Sequence, residues 1–275
     1  MTAWFEGAGG IRLSADLFGP NDGNPLILVG GMGQTRHSWQ RVATRLAEHG
    51  RRTITVDVRG HGESDRASDY SYPRQAEDIA AIVRDIGRPV ILCGNSLGGK
   101  ICLAAAGSFP EVVAGLVLID SVPRSSPAGI AQIVQTTVAT DGFASPDEAA
   151  AHLAASRGGV PTPCVGEKLR RNMRQSEDGR WHWHWDASYR DPIHNIGLGA
   201  GSELLERYAG NVKCPVLLAW CELSEVVTQD GVDALHAVLP QIEVEVIAGA
   251  RHMIVGDEND LVAEALEGFL ERHRI

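Results

Sequence analysis

An apolar run, Pro89-Val90-Ile91-Leu92-Cys93, ends in Gly94-Asn95-Ser96-Leu97-Gly98-Gly99-Lys100, and an Ala-rich stretch from Ile101 to Gly107 follows at once. A buried strand that passes into a helix within a few residues needs small residues on both sides of the turn, and Gly94 and Gly98 supply them around Ser96. The pentapeptide fits the Gly-x-Ser-x-Gly elbow, which pushes a serine hydroxyl out at the carboxyl end of its strand. Alone, it reads equally well as a small-residue turn in a parallel sheet. The strand before it and the helix after it favour a nucleophile.

The surrounding pattern is one of alternating strands and helices. Residues 11–18 alternate apolar with polar or small, as in a half-buried strand, while Leu26-Ile27-Leu28-Val29 is continuously apolar and runs into Gly30-Gly31-Met32-Gly33. Trp39, Val42, Ala43 and Leu46 recur at helical spacing, and strand Thr53-Ile54-Thr55-Val56 follows. After the Gly-rich turn 57–65 a helix is predicted over about 74–86, closed by Gly87, and Leu116-Val117-Leu118-Ile119 is the strand after the serine's helix. Such alternation implies a mostly parallel central sheet with helices on both faces. It stops at Ser121 and resumes at Pro215-Val216-Leu217-Leu218, then at 243–247, with a last helix over about 260–272. The expected organisation is a core of residues 1–120 and 212–275, with 121–211 as a helical cap inserted after the sixth strand.

Composition narrows the function. The 275 residues suffice for one large α/β domain, and the formal net charge of -10 disfavours nucleic acid or an anionic membrane as partner. Five cysteines with no Cys-x-x-Cys pair do not make a disulfide framework. The first residues carry neither a basic region nor an apolar targeting segment, and no apolar run approaches membrane-spanning length. A reducing, cytoplasmic setting is expected. Oligomeric state leaves no trace in the sequence.

Four motifs in order carry a family resemblance: Gly31-x-Gly33-Gln34-Thr35-x-x-Ser38-Trp39, Asp57-x-Arg59-Gly60-x-Gly62-x-Ser64, the elbow at Ser96, and His252-Met253 followed by Gly256-Asp257-x-Asn259-Asp260. Over its whole length the chain resembles the α/β-hydrolase family, and within it the small bacterial esterases, lactonases and cofactor-free haloperoxidases. The resemblance implies the α/β-hydrolase fold and a nucleophile, acid and histidine in that chain order. It implies hydrolysis of a small carboxylic ester or lactone through an acyl-enzyme on Ser96, with no cofactor. The same constellation serves perhydrolysis, and some members cleave rings with oxygen. A non-catalytic ligand receptor on this fold is the reading from another class.

Each role has a candidate. His252, in the loop after the last predicted strand, is the expected general base, against the alternative of a surface loop histidine. Relatives usually have Gly where Arg251 stands, so this loop takes a different path or the cation lies beside the imidazole. Glu225 fills the family's acid slot, with Asp120 and Glu222 as alternatives. The expected oxyanion donors are the N–H groups of Leu97 and Met32. Relatives often begin the latter loop with His-Gly, and with Gly30-Gly31 here the loop is expected to hold by its backbone alone; a plain strand-to-helix turn is the other reading. In Trp181-His182-Trp183-His184-Trp185-Asp186, the three indoles share a face only if the segment is extended. They and Gly31 are candidates for the substrate wall, or the indoles anchor the cap to the core. His182, His184 and Asp186 lack further ligands at metal spacing, so no metal is expected. Lys168, Arg170, Arg171 and Arg174 read as a solvated helix face.

Overall fold

The computed structural model describes residues 1–133, 142–156, 165–190, 201–252 and 259–275. Cys164 and the Met253, Gly256 and Asp257 portion of the fourth motif lie outside the described residues.

Eight strands form one sheet: β1 (Thr2–Glu6), β2 (Arg12–Phe18), β3 (Pro25–Val29), β4 (Arg52–Val56), β5 (Val90–Asn95), β6 (Val113–Ile119), β9 (Val216–Cys221) and β10 (Glu243–Ile247). Their order is β1-β2-β4-β3-β5-β6-β9-β10. β1 and β2 are antiparallel to each other, β2 is antiparallel to β4, and every other pairing is parallel. The continuously apolar strands β3 and β5 are buried along their whole length in the middle of the sheet, as strands covered on both faces must be. At the edge, β10 instead alternates, with Val244 and Val246 exposed.

Helices α1 (Gln40–Glu48) and α9 (Asn259–His273) cover one face, where Trp39, Val42, Leu46, Leu266 and Phe269 pack on Leu26, Leu28, Ile91 and Val117. Helices α2 (Tyr72–Ile86), α3 (Leu97–Ser108), α7 (Ser202–Ala209) and α8 (Gln229–Val238) cover the other. α3 has no polar face because α2 and α7 flank it, and a Cβ on Gly107 would come within 2.2 Å of the Tyr208 carbonyl oxygen.

The stretch between β6 and β9 departs from an all-helical expectation. It holds α4 (Pro127–Ile133), α5 (Pro146–Ser156), α6 (Val165–Leu169) and an antiparallel ribbon of β7 (Met173–Gln175) with β8 (Trp181–Trp183). Met173, four residues after the end of α6, begins a strand rather than a further helical turn. Among the described residues no helix is long and apolar enough to cross a membrane.

Candidate active site

Ser96 follows the last residue of β5, and its backbone sits at φ 52 and ψ −115, a sparsely populated positive-φ conformation that costs a non-glycine residue about 1–3 kcal/mol. The surroundings hold it there. Its N–H donates to the Ile119 carbonyl at 3.1 Å, its carbonyl accepts the Ser121 hydroxyl at 2.7 Å, and the Lys100 N–H begins α3 from the same oxygen at 3.2 Å. The flanking glycines are required by close approach: a Cβ on Gly94 would lie 2.3 Å from the Gly98 carbonyl carbon, and one on Gly98 would lie 2.3 Å from the Val29 carbonyl oxygen.

His252 is buried in the loop after β10, with its Nε2 2.9 Å from Ser96 Oγ. Its Nδ1 lies 2.6 Å from Asp120 Oδ2. Asp120, wholly buried at the end of β6, also has positive φ, 46°, and its own N–H extends the ladder to the Ala219 carbonyl at 2.8 Å. Its carboxylate accepts the Cys221 N–H on Oδ1 at 3.0 Å and the Ser224 hydroxyl on Oδ2 at 2.6 Å. With two donors already fixing the carboxylate, the imidazole meets it through an Nδ1–H, and Nε2 is left as the acceptor facing the serine.

Glu225, expected as the acid, is not the residue brought to the histidine. Its carboxylate is about half exposed and accepts from Arg251 Nη1 at 2.6 Å. The reason is register. β6 lies next to β5, with Ile119 opposite Asn95, so the residue after Ile119 stands beside Ser96, whereas the β9 loop is one strand further away. The hydroxyl of Ser224 then closes on Asp120 while accepting the Val227 N–H at 2.9 Å, and this turn sends Glu225 outward. Glu222 caps the β10 turn instead, accepting the Gly249 N–H at 2.7 Å. Arg251 spends its charge on Glu225.

The glycine loop lies against Ser96: a Cβ on Gly31 would sit 3.2 Å from Ser96 Cβ. Its amides are almost all engaged. The Gly31 N–H donates to Gln34 Oε1 at 2.7 Å, the Gly33 N–H to His61 Nε2 at 3.4 Å, and the Gln34 N–H to the Gly31 carbonyl at 3.1 Å. The Met32 N–H between them has no partner among the described residues, nor does that of Leu97 at the start of α3. Two unspent donors beside Ser96 are what an oxyanion needs. The loop does not hold by backbone alone, because the side chains of Gln34 and His61 supply what a leading histidine was expected to supply. A side-chain acceptor three residues past Gly31 was the available sign.

His184 reaches the same loop from the segment after β8. Its Nδ1 accepts the Gly62 N–H at 2.5 Å, and its Nε2 faces the Gly33 carbonyl at 3.4 Å. Burial holds His61 down to about 4, against hydrogen bonding to the Arg59 carbonyl, and holds His184 down to about 3 with help from His61. Both rings are therefore neutral near neutral pH. The tryptophans around them are extended only through Trp183. Trp183 and Trp185 are buried, edge-on to Phe143 and Tyr189 at 5.6 and 6.5 Å, while Trp181 is partly exposed beneath the Arg170 guanidinium. Arg170 thus covers an indole rather than lying on a purely solvated face. Among the described residues no group of three or more His, Cys, Asp or Glu is placed to hold a metal ion.

A family model for the alpha/beta hydrolase fold matches residues 24–259. The chain belongs to the α/β-hydrolase family. Among its relatives, a 2-(acetamidomethylene)succinate hydrolase of Mesorhizobium japonicum is 26% identical over 222 residues, covering 80% of this chain and 78% of the relative. An esterase of Mycobacterium tuberculosis is 28% identical over 257 residues, covering 90% of this chain and 82% of the relative. A solved E-2-(acetamidomethylene)succinate hydrolase superposes with a TM-score of 0.83 at 23% identity, covering 98% of this chain and 99% of that one, which is a likeness of fold. In this α/β-hydrolase the elbow, the loop after β3 and the loops after β6 and β10 all meet at the carboxyl edge of the sheet, where open parallel sheets keep their sites.

Proposed function

We propose that this α/β-hydrolase is a serine hydrolase that cleaves a small carboxylic ester or lactone, with Ser96 as nucleophile, His252 as base and Asp120 as the acid that orients it. The observation that carries the reading is the unbroken chain from Ser96 Oγ through the imidazole to a buried carboxylate, 2.9 Å and 2.6 Å long. Ser96 Oγ attacks the substrate carbonyl carbon while its proton passes to His252 Nε2, and the imidazolium is stabilised by Asp120. The oxyanion is received by the N–H groups of Met32 and Leu97. Collapse expels the alkoxide, which takes the proton from Nε2, and water then repeats the sequence on the acyl-enzyme with His252 again as base. No step in this sequence calls on a cofactor.

The stretch between β6 and β9 serves in this reading as the lid that shapes the substrate pocket. The burial of Trp183 and Trp185 in the core supports the anchoring role for these two indoles over a substrate wall. The test is labelling by a fluorophosphonate and turnover of short p-nitrophenyl esters and lactones by wild type and Ser96→Ala. Stoichiometric labelling at Ser96 and a loss of several orders of magnitude in the variant are expected. Retention of more than about a tenth of the wild-type rate in Ser96→Ala would overturn the reading.

A further inference from the structure

We propose that His184, which lies outside the catalytic triad, is a positioning residue for the oxyanion hole, acting on the Met32 N–H through two peptide groups of the glycine loop that are hydrogen-bonded to each other. The inference rests on the serine hydrolase reading above. Its basis is the connectivity of the hydrogen bonds. The imidazole Nε2 faces the Gly33 carbonyl at 3.4 Å. That carbonyl shares a peptide group with the Gln34 N–H, which donates to the Gly31 carbonyl at 3.1 Å. The Gly31 carbonyl in turn shares a peptide group with the Met32 N–H, the one amide of residues 31–34 with no partner among the described residues. Two amide dipoles are thus aligned head to tail between the ring of His184 and the position of the oxyanion.

The tautomer needed for this relay is set by the protein. Nδ1 of His184 accepts the Gly62 N–H, so the ring's proton resides on Nε2 and is donated to the Gly33 carbonyl. His61 completes the arrangement from the other side. Its Nδ1 faces the Arg59 carbonyl and its Nε2 accepts the Gly33 N–H, which fixes the peptide between Met32 and Gly33. Hydrogen bonds in series polarise one another in a low-dielectric interior, so donation into the Gly33 carbonyl makes the Met32 N–H a stronger donor to negative charge. The negative charge is larger in the tetrahedral intermediate than in the bound ester, so the effect falls on kcat rather than on ground-state binding. His184 comes from the inserted stretch, not from the sheet, and the same stretch ties to the core through Asp186, whose N–H donates to the Gly60 carbonyl at 2.7 Å and whose carboxylate accepts the Tyr70 hydroxyl at 2.6 Å. Seating of the insertion and readiness of the oxyanion hole are therefore one event.

Two near-isosteres separate the relay from mere packing. In His184→Gln the amide nitrogen occupies the place of Nε2 and still donates to the Gly33 carbonyl; in His184→Asn the amide oxygen occupies the place of Nδ1 and serves only Gly62. Full removal of an oxyanion donor costs on the order of 100-fold or more, and polarisation is a fraction of one bond, so His184→Asn is expected to lose about five- to tenfold in kcat at nearly unchanged KM, with most of it recovered in His184→Gln. The Ki of a trifluoromethyl ketone, whose hemiketal oxyanion occupies the hole, rises by the same factor. His182→Asn, on the partly exposed side of the ribbon, leaves kcat unchanged. Equal losses in the Gln and Asn variants, or losses in KM alone, overturn the relay. Should wild type neither turn over an ester nor be labelled at Ser96, the hydrolase reading has failed separately, and the amide proton shift of Met32 decides the relay: it moves in His184→Asn and not in His184→Gln if the relay exists, and moves alike in both if it does not.

Discussion

Replacing Asp120 by Asn tests the acid assignment most sharply, because the structure dictates how the amide must sit. The carboxylate it replaces is wholly buried and receives the Cys221 N–H on one oxygen and the Ser224 hydroxyl and the imidazole on the other. The Cys221 N–H is a fixed backbone donor, so the amide oxygen goes there and the NH2 takes the place of Oδ2. Ser224 Oγ already accepts the Val226 and Val227 N–H groups, but its hydroxyl proton is free to rotate away from the amide. The imidazole has no such freedom: its Nδ1 must become the acceptor, the ring proton moves to Nε2, and a protonated Nε2 cannot take the proton of Ser96. In a Ser-His-Asp site this change lowers kcat on the order of 10⁴-fold, about 5.5 kcal/mol of transition-state stabilisation, without altering the fold. The assay is kcat on one activated ester for Asp120→Asn and Glu225→Gln, with melting temperatures to confirm folding. Glu225 sits in an exposed pair with Arg251, and such pairs contribute about 0–1 kcal/mol, so Glu225→Gln should stay within about twofold of wild type. A folded Asp120→Asn that keeps more than about a tenth of wild-type kcat, or a crippled Glu225→Gln, would refute the assignment.

Trp183→Ala removes a buried indole packed on Phe143 and should cost about 3–5 kcal/mol, read as a large fall in melting temperature; unchanged stability with altered acyl preference would restore the substrate-wall reading. Stability should fall with pH below about 6.5, because the unfolded chain then takes up protons that folded His61 and His184 refuse down to about 4 and about 3. The sign follows from lowered folded-state values: the stabilisation is complete above the unfolded value and declines by about 1.4 kcal/mol per pH unit for each ring. The groups facing these rings, Tyr189 and Asp186 at His61 and His37 at His184, leave the direction unchanged. Urea unfolding between pH 6 and 4.5 should therefore show a shallower slope in His184→Gln than in wild type, and equal slopes would refute the burial argument.

The positions of Ser96 and His252, the proposed nucleophile and base, were legible because what places them is local. A tight strand-to-helix turn needs Gly94 and Gly98 whatever surrounds it, and the loop after the last strand of a parallel sheet opens on the same edge as every other strand. The buried strands were legible from continuous apolar runs. β1 was not, because five residues at a sheet edge, with Trp4 half exposed, carry no clean alternation. The ribbon of β7 and β8 was missed because three-residue strands are too short to show a period.

What the sequence by itself determined is the parallel core and the tight turn that carries Ser96. Only the tertiary structure decided which carboxylate meets His252. Asp120 and Glu225 both follow strands and both suit the chemistry, and the difference between them is which strand lies beside β5 and which way the Ser224 hydroxyl turns. Likewise nothing in the chain order joins His61, His184 and Gln34 to one glycine loop, since the contact between Gly62 and His184 spans 122 residues. Hydrogen-bond partners that distant are set by how strands order and helices pack, and neither is a property of any short stretch.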